Sequence, residues 1–352
     1  MKYDLNILND YIAKGLVEKN NHPSLPIAIY NYSRDCQASG AWDEITLSLR
    51  GTILDDEGTV VASAFSKFFN YEEVFDRIPI DQEYVYVQDK MDGSLGILFY
   101  YADQWHLATK GSFTSDQAIK GMEIINKNYT LESFHKGITY IVEIIYPENR
   151  IVVDYQEERV VFLGASAEGV ELNWATAKAI FQSSLIPARE VVNTVHYTSF
   201  SDELYKELKS RNEANKEGFV LRFYPSNFRM KIKFEEYVRL HGLLTNFSNI
   251  NIWECLKDGK DLSKLLEKVP DEFDTWVRKI TKELIDKFEF EKAKYEKEFW
   301  TLIDKKAFAE LVENRPDKHF MFRRLTSYSR VYDNMIWDSI RPAYQKPFWN
   351  KD

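Results

Sequence analysis

Residues from about 24 to 235 form short apolar runs separated by turn residues, a pattern typical of β-strands with occasional helices. Polar and apolar residues alternate from Glu44 to Leu49 and continue to Leu54, which predicts one strand ending at the turn 55–58. The apolar segments 140–146 and 150–155 flank a proline-containing turn, which predicts a hairpin.

Segments 218–223 and 228–234 predict a second hairpin across a short turn that contains a proline. Segments 173–183 and 202–211 carry helical spacing instead, so we expect a helix at each.

After about residue 240 the pattern changes. An amphipathic segment begins at Pro270 and Asp271, and its charged residues continue to Lys306. Its apolar residues recur at three- and four-residue steps and predict one buried helical stripe: Phe273, Trp276, Val277, Ile280, Leu284, Ile285 and Phe288. We therefore expect an α+β domain of antiparallel sheets with flanking helices over residues 1–240, and an all-helical domain over 241–352.

Composition limits the class of protein. The 352 residues are 44% hydrophobic and 29% charged, which is typical of a soluble globular protein. No apolar run approaches the ~20 residues that cross a bilayer, and the amino terminus lacks a signal-peptide pattern. Two distant cysteines, Cys36 and Cys255, predict neither a disulfide framework nor a zinc site, so we expect a cytoplasmic protein. The net charge of −9 argues against coating nucleic acid by bulk charge, but it permits a local basic cleft.

The strongest candidate for chemistry is Lys90-Met91-Asp92-Gly93, between the strand-like runs 83–87 and 95–101. Such a turn would hold the Lys90 amine at the mouth of a pocket, where it could attack a phosphorus atom. A lysine is a nucleophile only when its amine is unprotonated, a state that neighbouring cations or a bound metal–nucleotide favour. The alternative is a surface lysine on an ordinary hairpin.

Three further features suit phosphate chemistry, although each has a structural alternative. Glu143 interrupts an apolar strand, which is costly unless it faces a polar cleft, binds a cation or lies on a solvated edge. Glu217 precedes a glycine that permits close backbone approach. Lys231 and Lys233 share one strand face, so they repel each other unless an anion or solvent separates them.

Additional cations stand at strand ends or beside aromatic residues. Lys110 ends one predicted strand, and Arg50 lies upstream. Lys67 and Phe69 would suit a nucleotide, with the ring stacking and the amine meeting phosphate. Each could equally be a surface residue beside a core aromatic.

In this order, Lys90 to Gly93, Glu143, Glu217-Gly218 and Lys231 to Lys233 resemble the motifs of the covalent nucleotidyltransferases: ATP-dependent DNA ligases, RNA ligases and mRNA capping guanylyltransferases. Within that group, the details are similar to the RNA ligase 1 family of T-even phages, over residues 45–240. The matching segments are Arg50-Gly51, Ser66 to Asn70, Lys90 to Leu95, Thr109 to Ser112, Tyr146 to Val152, Glu217-Gly218 and Lys231 to Tyr237.

The resemblance implies a ligase-type nucleotidyltransferase domain and three reaction steps. Lys90 attacks the α-phosphorus of ATP and forms lysyl–AMP. The AMP passes to an RNA 5′-phosphate, and a 3′-hydroxyl then displaces it. The implied partners are RNA ends, including those of a nicked tRNA under repair, with no membrane and a monomeric enzyme.

The resemblance also implies roles for the other residues. Arg50, Lys67, Lys110, Lys231 and Lys233 are expected to hold phosphates. Glu143 and Glu217 are expected to hold Mg²⁺, or Mn²⁺ in its place, directly or through water, or to bind the ribose. Phe69 and Gly93 are expected to contact the nucleotide.

Two alternatives remain open. DNA ligases and capping enzymes usually append an OB-fold barrel after the final lysine pair, which the helical pattern after residue 240 disfavours. A catalytically silent RNA-end-binding protein is disfavoured because Lys90, both glutamates and the lysine pair are all present.

Overall fold

The structure is a computed structural model of the chain. It describes residues 1–79, 84–262, 271–300, 310, 313–316, 318 and 330–345. The chain divides into two compact units, Met1–Val238 and Arg239–Asp352.

Fourteen strands are present in the described residues, and they form three sheets. The first sheet has the order β1-β2-β3-β4, with β1 Val17–Asn21, β2 Ile27–Tyr32, β3 Arg50–Asp55 and β4 Val60–Ala62. The second has the order β11-β10-β9-β7-β8, with β7 Ser94–Tyr101, β8 Gln104–Thr109, β9 Ile138–Ile145, β10 Arg159–Ala167 and β11 Val170–Glu171. The third has the order β12-β6-β13-β14-β5, with β5 Phe69–Asn70, β6 Tyr84–Asp89, β12 Thr194–Tyr197, β13 Gly218–Tyr224 and β14 Arg229–Lys233.

Helices lie between and after the strands. They are α1 Leu5–Ala13, α2 Arg34–Ser39, α3 Glu44–Ser48, α4 Tyr71–Val74, α5 Asp116–Asn128, α6 Trp174–Ser183, α7 Asp202–Ser210, α8 Glu235–Asn246, α9 Asn249–Asp258, α10 Asp271–Trp300 and α11 Arg330–Ser339. The expected α+β class, with antiparallel sheets, flanking helices and carboxyl-terminal helices, is confirmed. Only β14 and β5 pair in parallel among the described strands.

The second sheet is central because both of its faces are covered. Strand β9 is apolar and buried along nearly its whole length, as expected for a strand packed on both sides. On one face, Ile124 of α5 and Phe181 of α6 join its core cluster. On the other face, Ile97 and Phe99 pack with Ile53 of the first sheet. Its strands are therefore rigid supports for the residues at their ends.

The strand predicted over Glu44 to Leu54 is wrong in its first half. Residues Glu44–Ser48 form α3, and the strand β3 begins only at Arg50. A capping box starts the helix, since Asp43 Oδ1 accepts from the Thr46 backbone N–H at 2.8 Å and Thr46 Oγ1 accepts from the Asp43 N–H at 2.8 Å.

The hairpin predicted over 140–155 is also wrong. Strand β9 pairs with β10 and β7, while residues 150–155 lie outside the strands. The reason is hydrogen bonding to a residue distant in the sequence, because the N–H groups of Val152 and Val153 donate to Oδ2 of Asp92, at 2.9 and 2.8 Å, rather than to a neighbouring strand.

The second predicted hairpin and both predicted helices are confirmed. Strands β13 and β14 pair antiparallel, α6 begins after its N-cap Asn173, and α7 covers nearly all of its predicted span.

In the carboxyl-terminal unit, α10 provides the predicted stripe. Its buried members are Phe273, Val277, Ile280, Leu284 and Phe288. Trp276 is half-buried, and Ile285 is 41% exposed, so its assignment to the core was wrong. The charged continuation at 301–306 lies outside the described residues. Among the described helices, none has both the length and the apolar character to cross a membrane.

Candidate active site

Lys90 lies in a four-residue connection, 90–93, that passes from the third sheet to the second. Strand β6 before it pairs with β12 and β13, whereas β7 after it pairs with β8 and β9. The turn is therefore not a hairpin. The Lys90 N–H donates to the Gly218 carbonyl at 2.9 Å, and the Gly93 N–H donates to Glu143 Oε1 at 3.0 Å. Each end of the connection is thus tied to a different sheet.

Asp92 anchors this connection through buried hydrogen bonds. Its side chain is buried and accepts from two backbone N–H groups of the segment 152–153. The Tyr237 hydroxyl donates to Asp92 Oδ1 at 2.7 Å, and the Asp92 N–H donates to the Tyr155 hydroxyl at 3.0 Å. Burial raises the pKa of Tyr237, so this hydroxyl stays a donor. Asp92 therefore holds the backbone that carries Lys90.

Gly93 and Gly218 are required by close backbone contacts. A Cβ on Gly93 would lie 2.4 Å from the Ile144 carbonyl oxygen. Gly218 has φ +142°, and a Cβ there would lie 2.0 Å from the Ile232 carbonyl oxygen. Only glycine lets these strands approach so closely, which places Glu143 and Glu217 beside Lys90.

Glu217 joins Lys90 to Lys233. Its side chain is 3% exposed, and its two oxygens lie 2.6 Å from Lys90 Nζ and 2.8 Å from Lys233 Nζ. Glu217 therefore connects the two lysines through one buried carboxylate.

Two neighbouring groups have displaced pKa values. Burial raises the pKa of Glu143 to about 7, with Lys90 opposing and Glu217 reinforcing the rise. Burial lowers the pKa of Lys231 to about 7, and the charges of Lys67, Lys90 and Lys233 add to the effect. Both groups therefore titrate near neutral pH.

A second group of cations lies on aromatic rings. Lys67 Nζ is 5.2 Å from the ring centroid of Phe69, 5.3 Å from that of Trp42 and 5.6 Å from that of Tyr32. Lys110 Nζ is 4.9 Å from the Tyr32 centroid. Burial, followed by nearby positive charge, lowers the pKa of both lysines. This concentration of cations suits a polyanion.

A cavity of about 240 Å³ opens beside Lys90. It is lined by Arg50, Phe65, Phe68, Gln88, Asp89, Lys90, Met91, Gly93, Leu95, Glu143, Leu163, Val192, Val220 and Arg229. Apolar residues form more than half of this wall, and two guanidinium groups, two carboxyls, one amine and one amide provide its polar part. Apolar walls with a few polar groups are typical of a small-molecule site.

The structure brings four of the predicted residues into the cavity wall: Arg50, Lys90, Gly93 and Glu143. Glu217 and Lys233 join them through the ion pair with Lys90. Lys231 is close enough to Lys67 and Lys90 for their charges to lower its pKa. Lys67, Phe69 and Lys110 lie in the aromatic cluster rather than in the cavity wall.

Sequence reasoning missed several cavity residues. Arg229 stands two residues before Lys231 on the same strand face, so the two-residue period could have identified it. Leu163 and Val192 carry no such signal, because only the tertiary fold brings them to the cavity.

Comparisons with known proteins place this site in a family. A family profile described as RNA ligase matches residues 48–238, which is more than half of the chain. A protein of Thermovibrio ammonificans that is provisionally named an RNA ligase is 28% identical over 216 residues, which are 57% of this chain and 55% of that protein. The RNA ligase of Rhodothermus phage RM378 is 25% identical over 285 residues, covering 61% of this chain and 64% of that protein. The match thus spans between about half and two thirds of each relative's length.

A solved archaeal ATP-dependent RNA ligase shares the fold. Its TM-score is 0.52 at 16% identity, and the alignment covers 79% of this chain and 75% of that one. The family match coincides with the unit that contains Lys90, Glu143, Glu217 and the lysine pair. The chain therefore belongs to the RNA ligase family.

Proposed function

We propose that this protein is an ATP-dependent RNA ligase that joins a 5′-phosphate to a 3′-hydroxyl through a lysyl–AMP intermediate at Lys90. The observation that carries the proposal is the position of Lys90. Its amine is bonded to the buried Glu217 and lines a cavity with Arg50 and Glu143. Family membership supports the reaction class.

The first step begins when ATP enters the cavity. Lys233 and Lys231 bind its phosphates, while Lys90 leaves its ion pair with Glu217. Lys90 loses a proton to solvent, its nitrogen forms a bond to the α-phosphorus, and the bond from that phosphorus to pyrophosphate breaks. Lys231 and Lys233, with Lys67 and Lys110, are the cations that stabilise the departing pyrophosphate.

The next steps move AMP to RNA and then release it. An oxygen of the RNA 5′-phosphate attacks the phosphorus of lysyl–AMP, and Lys90 leaves as an amine. A 3′-hydroxyl oxygen then attacks the activated 5′-phosphorus and gives up its proton to solvent, which forms the new phosphodiester bond and expels AMP. Both steps develop negative charge on phosphate oxygens, which Arg50 stabilises.

The carboxylates present fit a divalent cation completed by other ligands. One oxygen of Glu143 accepts a hydrogen bond from the Gly93 N–H, and both oxygens of Glu217 form ion pairs with Lys90 and Lys233. No group of three or more His, Cys, Asp or Glu side chains suited to a metal occurs in the part of the chain that the structure describes. Mg²⁺ commonly takes one or two carboxylates plus waters and phosphate oxygens. Glu143 and Glu217 would hold Mg²⁺, or Mn²⁺, directly or through water, and the ion would neutralise phosphate charge.

The substrate proposal extends to the second unit. The candidate catalytic residues all precede Phe234, whereas the described apolar stripe of α10 serves packing. We assign the nucleotidyl transfer to residues 1–240 and RNA selection to residues 241–352. A monomer acting on RNA ends, including a nicked tRNA, agrees with this division.

Incubation with α-labelled ATP and Mg²⁺, followed by denaturing electrophoresis, tests the proposal. A labelled protein band should form, be cleaved by acid as a phosphoramidate is, and disappear in Lys90→Ala. The exposed Lys178 on α6 provides the matched control, and Lys178→Ala should keep the label. Labelling that survives in Lys90→Ala would refute the assignment. Labelling by GTP instead of ATP would indicate a capping enzyme.

A further inference from the structure

A buried charge cluster lies next to the cavity and has no role in the steps above. Arg222 and Arg229 stand directly opposite each other on β13 and β14. Like charges in such a pair repel, and Glu171 offsets this: its Oε2 accepts a hydrogen bond from Arg229, and its Oε1 forms an ion pair with Arg222. Glu171 belongs to β11, so the cluster joins the second and third sheets.

The cluster carries an excess positive charge and is almost completely buried from solvent. The side chains of Arg222 and Arg229 are 1% and 5% exposed. Two guanidinium groups against one carboxylate leave a formal charge of +1. Buried charges are costly unless they are paired and fully hydrogen-bonded.

Arg229 has a donor that the cluster does not use. Its Nη1 bonds Glu171, whereas its Nη2 is buried and has no hydrogen-bond partner among the described residues. A buried donor without an acceptor costs about 1–3 kcal/mol in a folded protein. Arg222 also has a buried nitrogen without a partner among those residues, but Arg222 is not part of the cavity wall, whereas Arg229 is.

The surroundings of Arg229 favour a flat ligand. Its guanidinium lies 3.9 Å from the ring centroid of Phe65, and Leu163 and Val220 line the same cavity. The Phe65 ring packs directly on Gly164, since a Cβ on that glycine would come within 2.7 Å of the ring. Apolar walls with one fixed donor are suited to a heteroaromatic ring that presents a nitrogen acceptor.

The direction of the strand assigns this region to the base rather than to the phosphates. Lys233 is at the end of β14 that shares Glu217 with Lys90, and Arg229 is at the opposite end. Four residues of strand separate them by about 13 Å. With the α-phosphorus beside Lys90, the nucleobase is the part of ATP that can extend toward Arg229.

We propose that Arg229 is a base-recognition residue, whose free Nη2–H donates a hydrogen bond to a ring nitrogen of adenine. This inference rests on the proposed use of ATP. It assigns a specificity contact to a residue outside the lysines and glutamates that perform the transfer.

The test compares ATP with three analogues in which ring nitrogen N1, N3 or N7 is replaced by C–H. For the wild-type protein, one analogue should lower kcat/KM of lysyl–AMP formation about ten- to a hundredfold, the effect of losing a hydrogen bond to a charged group. The R229K protein keeps a cation for Glu171 but lacks the second guanidinium nitrogen, so that analogue and ATP should react equally well. The R229M protein, which also lacks the guanidinium donor, tests the same expectation by the same comparison of ATP with the analogue.

R222K is the matched control, because Arg222 belongs to the same cluster without lining the cavity. It should lower the melting temperature while preserving the wild-type penalty for the analogue. Discrimination that persists unchanged in folded R229K would overturn the proposal. Equal reaction of the wild type with ATP and all three analogues would overturn it without any variant. Absence of lysyl–AMP with ATP itself would instead refute the proposed function, and this inference with it.

Discussion

Replacing Lys231 with arginine should remove a pH dependence from ATP binding. Burial and three nearby cations lower the pKa of Lys231 to about 7, so above that pH its amine is mostly neutral in the free protein. Arginine stays protonated at any accessible pH. The substitution therefore fixes a charge that the native lysine holds only part of the time.

The magnitude follows from the pKa of about 7. A triphosphate favours the charged amine, so binding must restore the proton, and each pH unit above the pKa costs about 1.4 kcal/mol. Wild-type Kd for Mg–ATP should thus rise about tenfold per unit above pH 7 and level off below it. At about pH 8, roughly 0.9 proton should be taken up per ATP bound.

Isothermal titration calorimetry in buffers of different ionisation enthalpy measures both the Kd and the proton uptake. The Lys231→Arg protein should bind with a nearly constant Kd across roughly pH 6.5 to 8.5. Glu143 titrates in the same range, so Glu143→Gln is the matched control and should retain the wild-type slope. Equal slopes for wild type and Lys231→Arg would refute the argument and assign the titration to another group.

Three further predictions concern the chemistry, the stability and the second unit. Lys231→Ala and Lys233→Ala should each slow self-adenylylation about ten- to a hundredfold, and sealing of a pre-adenylylated strand much less, because pyrophosphate departs only in the first reaction; equal losses in the two assays would count against this division. The pKa of Glu143 is raised from 4.5 to about 7 on folding, so the native state binds the extra proton and stability falls as pH rises from 4.5 to 7. Glu143→Gln should therefore stabilise the fold by up to about 3 kcal/mol above pH 7 and by little below pH 4.5, measured by urea denaturation, and a constant difference across pH would contradict this cause. A chain ending near Leu240 should still form lysyl–AMP but, compared with the full chain, lose sealing efficiency on a nicked stem-loop more than on a linear strand. Loss of adenylylation in a folded truncation would show that the tail builds the nucleotide pocket, and equal sealing of both RNAs by the two proteins would refute the substrate role of the tail.

Local pattern was sufficient for the parts of the fold that local forces determine. The β13–β14 hairpin, with Lys231 and Lys233 on one face, followed from alternation alone. Alternation failed at Glu44–Ser48, where the capping box of Asp43 and Thr46 stabilises a helix. Alternation also failed at 150–155. The backbone N–H groups there donate to Asp92, about sixty residues earlier in the chain, and a local pattern does not contain that contact.

The candidate site shows the same division. Lys90, Glu143 and Glu217 stood out because each is a charged residue in or beside an apolar strand. Their functional roles stay predictions until the labelling experiments are done. The apolar wall of the cavity and the unpaired Nη2 of Arg229 depend on how the second and third sheets meet. The periodicity of a single strand does not contain that information.

The passage of residues 90–93 between two sheets also makes the length of this segment a constraint. Surface loops usually tolerate insertions. Here both ends are bonded, to Gly218 in one sheet and to Glu143 in the other. One added residue would change the reach by about 3.5 Å, which exceeds the 2.6 Å between Lys90 Nζ and Glu217. The Lys-Met-Asp-Gly sequence therefore specifies a spacing as well as the proposed nucleophile, and we expect lengthening it to be as damaging as replacing the lysine.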